Sequence, residues 1–90
     1  MAGNIYRTEM IERLMDEFTP LMRSKMVLRG KKLDEYGTKG SMYFYKRIHE
    51  ELFELTEALV EGRTPEEIAL ECADVANCCM MLADKILEED

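Results

Sequence analysis

The sequence predicts an all-α fold, a small bundle of three to four helices joined by short turns. Three observations carry this expectation. Apolar residues recur at steps of three and four along most of the chain. Strand signals are weak, because Val is scarce and no alternation of apolar and polar residues persists for more than a few positions. Finally, the helix-stopping and helix-starting residues fall between the periodic segments and not within them, Pro20 excepted.

The first helical stretch carries Ile11, Leu14, Met15, Phe18, Leu21, Met22 and Met26 on one face. Thr19-Pro20 interrupts it, and two readings stay open. Either Pro20 kinks one long helix, or Thr19 caps a new helix with Pro20 in its first turn. Residues 36 to 41, Tyr-Gly-Thr-Lys-Gly-Ser, form the clearest loop. Ser41 is the expected N-cap of the next helix, which runs from about Met42 to Glu61 and stops at Gly62. Thr64-Pro65-Glu66-Glu67 starts the last helix, with Thr64 as N-cap and Glu67 able to close a capping box. That helix is expected to end near Leu87.

Ninety residues form a single domain, residues 1–90, without repeat, low-complexity tract or linker. A chain this short buries only about 60–65% of its unfolded surface. Its core is aliphatic and soft, with eight Met, three Phe and no Trp. Homo-oligomerisation is therefore expected to complete it. The formal charge of −7 argues against DNA or RNA as a partner, since nucleic-acid polymers need a basic surface. It leaves room for a small anionic ligand bridged by a cation. The start of the chain lacks a basic segment followed by an apolar run, and no apolar stretch reaches about 18 residues. The expectation is a cytoplasmic protein with no membrane partner. Cys72, Cys78 and Cys79 fall in one helix, lack a Cys-x-x-Cys spacing and read as small buried hydrophobes.

The acidic residues are not all alike. On a wheel at about 100° per residue, Phe44, Ile48, Leu52, Leu55 and Leu59 form the apolar stripe of the 42–61 helix. Glu51 lies about 60° from the centre of that stripe and Glu54 about 120° from it, with Glu50 and Glu57 further out. Ala58 leaves space beside them. In the last helix the stripe is Ile68, Cys72, Val75, Cys79, Leu82 and Ile86, and Glu71 and Asp74 hold the same two offsets. Between Leu70 and Ala83 the only polar residues are Glu71, Asp74 and Asn77, so this helix is expected to be buried on nearly every side.

A buried ionised carboxylate costs several kcal/mol unless something compensates it. Few cations stand near in sequence. Lys85 is two to three turns further along, and Lys46 and Arg47 precede Glu50. A bound metal ion is the simplest compensation. Glu51 with Glu54, and Glu71 with Asp74, are i,i+3 pairs, each on one helix face. If the two helices pack antiparallel, the pairs converge into an all-oxygen site suited to Mg²⁺, with Mn²⁺ as a substitute. A Glu-x-x-Glu pair alone carries little, because solvated helix faces are full of them. Glu57, Glu61, Glu66, Glu67 and residues 88–90 read as such a surface. The second acid pair, inside an apolar helix, is what points to a site. A di-iron bundle would need Glu-x-x-His pairs, and the single histidine, His49, reads as a surface or helix-flank residue.

The run Glu50-Glu51-Leu52-Phe53-Glu54, followed after sixteen residues by Glu71-Cys72-Ala73-Asp74, resembles the Glu-Glu-x-x-Glu and Glu-x-x-Asp motifs of MazG-like nucleotide pyrophosphohydrolases, of the all-α NTP pyrophosphatase superfamily. Asp74 to Asn77, Met80 to Asp84 and Lys39-Gly40 look similar too, so that the resemblance spans about residues 30 to 88. It implies a helical bundle built by two or four chains. It implies Mg²⁺ held by Glu51, Glu54, Glu71 and Asp74, with Glu50 a further ligand or the group that orients water, so that Glu50 and Glu51 become the catalytic candidates. The implied reaction turns a nucleoside triphosphate into monophosphate and pyrophosphate, normal or damaged deoxynucleotides being the usual substrates.

That chemistry needs cations on the phosphates. Lys39 comes first, then Lys32, Arg47 and Lys85, each weighed against an ordinary surface role. Asn77 either contacts the nucleotide or supports a ligand, or is a buried, hydrogen-bonded structural residue. Many relatives carry further C-terminal residues that help form the nucleotide pocket. Here the pocket is expected from the N-terminal helix, the 36–41 loop or a neighbouring subunit. Two rival expectations stand beside the enzyme. One is a non-catalytic oligomeric bundle that binds a nucleotide or a protein partner. The other is a structural bundle whose acids are satisfied by Lys or Arg from another chain.

Overall fold

A computed structural model describes residues 2–28 and 30–89, with the side chains of residues 3–28, 30 and 33–89. The side chain of Lys32, a phosphate candidate above, lies outside the described residues. The described elements are all helical: α1 (Ala2–Leu28), α2 (Gly30–Leu33), a 3₁₀ turn (Tyr36–Thr38), α3 (Ser41–Glu61) and α4 (Pro65–Glu89). Three long helices thus make up the all-α fold. α1 continues through Pro20 as one helix.

The α3–α4 turn is fixed by local chemistry. Gly62 adopts the left-handed conformation at φ 66°, ψ 40°. Its N–H donates to the Leu59 carbonyl at 3.2 Å and that of Arg63 to the Ala58 carbonyl at 3.0 Å, the Schellman pattern. Thr64 Oγ1 then accepts the Glu67 N–H at 3.2 Å and caps α4. Glu66 and Glu67 place negative charge in its first turn, where the helix dipole favours it. The α3 start differs from expectation. Gly40, extended at φ −96°, ψ −178°, is the N-cap, and Ser41 is the first helical residue. The Ser41 hydroxyl reaches across to Glu89 Oε2 at 3.4 Å instead of capping its own helix.

α3 packs chiefly on α4, and α1 packs on α4 as well. Two contacts set the α1–α4 direction: Asn77 bonds Met22, and Asp74 pairs with Lys25. The numbers run in opposite senses, so the helices are antiparallel. The apolar core is small and sits where α3 begins and α4 ends. Phe44, Cys78 and Met81 are buried there, with Met26, Leu33, Tyr36, Ile48 and Leu82 packed around them.

The inward faces are turned relative to the apolar stripes. In α3 the buried residues are Phe44, Glu51 and Ala58, spaced by seven, while Leu52 and Leu59 are exposed. In α4 they are Ala73, Asp74, Asn77, Cys78, Met81 and Lys85, while Cys79 and Ile86 are exposed. The physical reason is coverage. α4 meets α3 on one side only, and Ala58 and Ala73, both at 0% exposure, let the helices approach on the acid-bearing side. The apolar stripes are then left partly outside.

The N-terminal half of α1 is likewise uncovered, every described side chain from residue 3 to residue 17 being exposed. The chain accordingly has a radius of gyration of 15.4 Å, against about 12 Å for a compact domain of this length. It exposes 6760 Å², against about 5,400 Å² for a typical monomer of its mass. No described helix is long and apolar enough to cross a membrane.

Candidate functional site

Each acid-bearing residue is positioned by the antiparallel α3–α4 pair. Glu51 lies eleven residues before Gly62, and Glu71 and Asp74 lie six and nine residues after Pro65. At about 1.5 Å per residue these offsets put Glu51, Asp74 and Glu71 about 16, 14 and 9 Å from the turn, a spread that their side chains bridge. One ligand oxygen from each of Glu51, Glu71 and Asp74 falls within 4.8 Å of the others. Glu51 and Asp74 are buried and Glu71 is half-buried.

Glu54, the fourth expected ligand, stands beside this triad and not in it. Its carboxyl is pushed above the usual carboxylate range, first by partial desolvation. A hydrogen bond with Glu51 and the charges of Glu51, Glu71 and Asp74 add to the shift. Glu50 points to solvent, where Arg47 Nη1 pairs with it.

Among the described residues, two cations enter the cluster. Arg47 Nη2 donates to Glu51 Oε1 at 2.5 Å, one turn along α3. Lys25 Nζ reaches Asp74 Oδ2 at 3.1 Å from α1. Lys25 was not among the sequence-derived candidates, yet a signal for it existed. On a helical wheel it falls between Phe18 and Leu21, inside the apolar face of α1. A cation in the middle of an apolar face implies a buried acid opposite it. Up to four carboxylates, Glu51, Glu54, Glu71 and Asp74, gather around these two cations. Glu71 Oε2 is buried and accepts no hydrogen bond from the described residues.

The donor set fits a small hard cation. Mg²⁺ holds oxygens at 2.0–2.1 Å in an octahedron, which sets neighbouring ligand oxygens about 3 Å and opposite ones about 4.2 Å apart. At most one pair of three such ligands is opposite, so closing the triad from as much as 4.8 Å takes changes of up to about 2 Å in the oxygen separations, within reach of carboxylate rotation. Glu51, Glu71 and Asp74 are therefore the residues that could hold the metal, with Glu54 at its edge.

A cleft of about 420 Å³ meets the acid cluster through Arg47; the four acids themselves do not line it, and Glu35 is the carboxylate that does. The aromatic rings of Tyr36, Tyr43 and Phe44 line it together with Lys39 and Arg47. The rings pack on one another, Tyr36 with Phe44 at 5.3 Å and Tyr43 with Phe44 at 5.1 Å between centroids. Lys39 Nζ sits 5.0 Å from the Tyr43 ring centre. The cleft forms where the 36–41 loop meets α3, with Met26 of α1 on its wall, two of the three sources expected for a pocket. Two of the four phosphate candidates, Lys39 and Arg47, are thus gathered here.

Lys85 and Asn77 go elsewhere. Lys85 is buried under Tyr36, 3.9 Å from its ring centre, and 3.6 Å from Glu88. It lies eleven residues beyond Asp74, about 16 Å along the helix, which separates it from the acids. Asn77 is fully buried and its Nδ2 donates to the Met22 carbonyl at 2.9 Å, an α4-to-α1 tie. Its Oδ1 accepts no hydrogen bond from the described residues.

Tyr36 escaped the sequence reading, which saw only a loop at its position. Its hydroxyl donates to Asp84 Oδ2 at 2.5 Å and lies 3.3 Å from the Met81 carbonyl. Burial first, then the bond to Asp84, raises its pKa to about 12. It is a neutral pin that holds the cleft wall to α4. A scan against protein-family models finds no match to the chain, and neither a search of curated proteins nor a search of solved structures returns one.

Proposed function

We propose that this protein hydrolyses nucleoside triphosphates to monophosphate and pyrophosphate with Mg²⁺, in the manner of the MazG-like pyrophosphohydrolases that its acid motifs resemble. The observation that carries the reading is the meeting of Glu51, Glu71 and Asp74 within 4.8 Å, beside a cleft walled by aromatic rings and two cations. An acid cluster alone is weak. An acid cluster joined through Arg47 to a cavity of nucleoside size, with Lys39 at the cavity's far end, matches the three parts of a nucleotide: base, phosphate chain and metal.

In this reading the rings of Tyr36, Tyr43 and Phe44 receive the base. Lys39 and Arg47 take phosphate oxygens as charge-assisted donors. Glu51, Glu71 and Asp74 hold the divalent ion, which supplies charge neutralisation at the phosphates and acidifies water. A water oxygen forms its bond to the α-phosphorus while the bond from that phosphorus to the β-bridging oxygen breaks, and pyrophosphate leaves. Glu54 suits the base that takes the water's proton better than Glu50 does. It borders the triad and its proton affinity is raised, whereas Glu50 faces solvent and is tied to Arg47.

The same reading has the protein act as a homo-oligomer, a dimer or tetramer, in the cytoplasm. The surface in excess of a typical monomer is about 1,300 Å². A standard interface takes about 800 Å² from each partner, so the excess is enough for one. The thiols of Cys72, Cys78 and Cys79 suit a reducing compartment.

One rival has an observation of its own. The structural bundle was expected to draw its cations from another chain; the Lys25–Asp74 and Arg47–Glu51 pairs supply them from within this one. The experiment that decides is pyrophosphate release from a panel of ribo- and deoxynucleoside triphosphates with Mg²⁺, beside Glu71→Gln. Release by the natural chain that is lost in the variant supports the enzyme. Silence across the panel from folded protein leaves the bundle.

A further inference from the structure

Arg47 belongs to two places at once. Its guanidinium donates to Glu51 Oε1 at 2.5 Å and pairs with Glu50, and the same side chain lines the aromatic cleft beside Lys39. Glu51 is nearly sealed from solvent, with 2% of its side chain exposed, while Arg47 keeps 24%. Of the two partners, Arg47 is therefore the one with room to move. Lys25, a second compensating cation among the described residues, comes from α1, and of that helix Met26 lines the cleft.

Glu51 cannot serve Arg47 and a divalent ion equally. Both seek the same carboxylate, and two cations a few ångströms apart repel, strongly so where water is excluded. We propose that Arg47 is an exchangeable cation: metal entry at Glu51, Glu71 and Asp74 releases its guanidinium, which turns into the cleft and takes a phosphate oxygen. Metal and phosphate binding are then coupled through one side chain. The inference rests on the function proposed above and adds to it an order of events and a cooperative link. By linkage, the factor by which metal tightens phosphate binding equals the factor by which phosphate tightens metal binding.

The signature is a pair of effects of opposite sign. Removing Arg47 removes the metal's competitor and, at the same time, a phosphate ligand. The test measures Mn²⁺ affinity without nucleotide by electron paramagnetic resonance. It also measures the affinity of the four deoxynucleoside monophosphates with and without Mg²⁺ by calorimetry. The natural chain, Arg47→Gln and Arg47→Lys are compared, each checked for helicity by circular dichroism.

Arg47→Gln is expected to bind Mn²⁺ roughly fivefold more tightly, the worth of a partly buried ion pair. It should bind monophosphate roughly fivefold more weakly and lose the enhancement by Mg²⁺. Arg47→Lys, which keeps the charge on a shorter and less directional donor, should fall between on both counts. Metal and monophosphate affinities that fall together, or a metal affinity that does not change, overturn the exchange and leave the proposed function standing. Absence of Mn²⁺ binding by the natural chain overturns both.

Discussion

Replacing Lys25 with Met tests whether a metal is the natural compensator of the buried acids. Lys25 Nζ lies 3.1 Å from Asp74 Oδ2, and Asp74 is 3% exposed. Met keeps most of the apolar stem and deletes the charge. Removing one partner of a buried charge costs up to about 3–5 kcal/mol, and the further contacts of Asp74 soften that loss. The Lys25 side chain is 23% exposed, so water softens the loss and the low end, about 3 kcal/mol, applies. At about 4–8 °C per kcal/mol for a domain of this size, the melting temperature should fall by roughly 12–24 °C. That value holds in EDTA. With Mg²⁺ at a hundredfold excess over its dissociation constant, binding adds about 2.7 kcal/mol to the native state. The variant binds the ion more tightly, since Lys25 no longer competes, and therefore gains more. If the tightening is about fivefold, as expected for Arg47→Gln, the gap should shrink by about 1 kcal/mol, from about 3 to about 2. Thermal unfolding followed by circular dichroism, at one fixed protein concentration, reads both values. An equal gap with and without Mg²⁺ would refute the reasoning and make Lys25 the acids' permanent partner.

Glu54 gives a prediction with a pH sign. Its folded proton affinity is raised from an ordinary value of 4.5, so the native state holds a proton that the unfolded chain has lost across that window. Stability contributed by Glu54 is therefore lost as pH rises from 4.5 through the raised value, and the loss persists at neutral pH. Glu54→Gln should raise the melting temperature at pH 7 without metal and confer no such gain near pH 4, as a scan of melting temperature against pH will show. Tyr36→Phe removes the bond to Asp84 at 2.5 Å and should cost about 1–2 kcal/mol in urea unfolding, with weaker binding of monophosphate as the cleft wall loosens. Leu14→Lys places a charge on the uncovered half of α1, where Leu14 is 52% exposed, and should shift sedimentation toward monomer without loss of helix content.

Much of the fold was legible because local rules decide it. Gly62 and Thr64 mark the α3–α4 turn through their own backbone and side-chain chemistry, and both perform the roles their sequence positions imply. Ser41 shows the limit. It is a good capping residue by type, but Glu89, distant in sequence, takes its hydroxyl, and Gly40 becomes the cap. The pairing of Glu51 with Glu71 and Asp74 was legible because two i,i+3 pairs on antiparallel helices fall at heights that their side chains bridge. Which face of each helix turns inward was not. A wheel ranks residues by hydropathy, whereas the contact here is set by the small Ala58 and Ala73, which bring acids inside and leave Leu52 and Leu59 outside. The cations were hidden for a different reason. Lys25 meets Asp74 across 49 residues of sequence, and only its position inside an apolar face hints at the pair. Lys85 looked like a phosphate ligand by charge alone, but its burial against the Tyr36 ring makes it part of the packing.

The proposed hydrolysis at the α-phosphorus, with a metal held at Glu51, Glu71 and Asp74, can be followed by isotope labelling. The natural chain is incubated with Mg²⁺ and a nucleoside triphosphate panel in oxygen-18 water, and the products are read by phosphorus NMR and mass spectrometry. The account predicts monophosphate and pyrophosphate in equal amounts, with the label in the monophosphate, and no turnover in EDTA. Label in pyrophosphate, release of orthophosphate, or turnover that survives EDTA would contradict it.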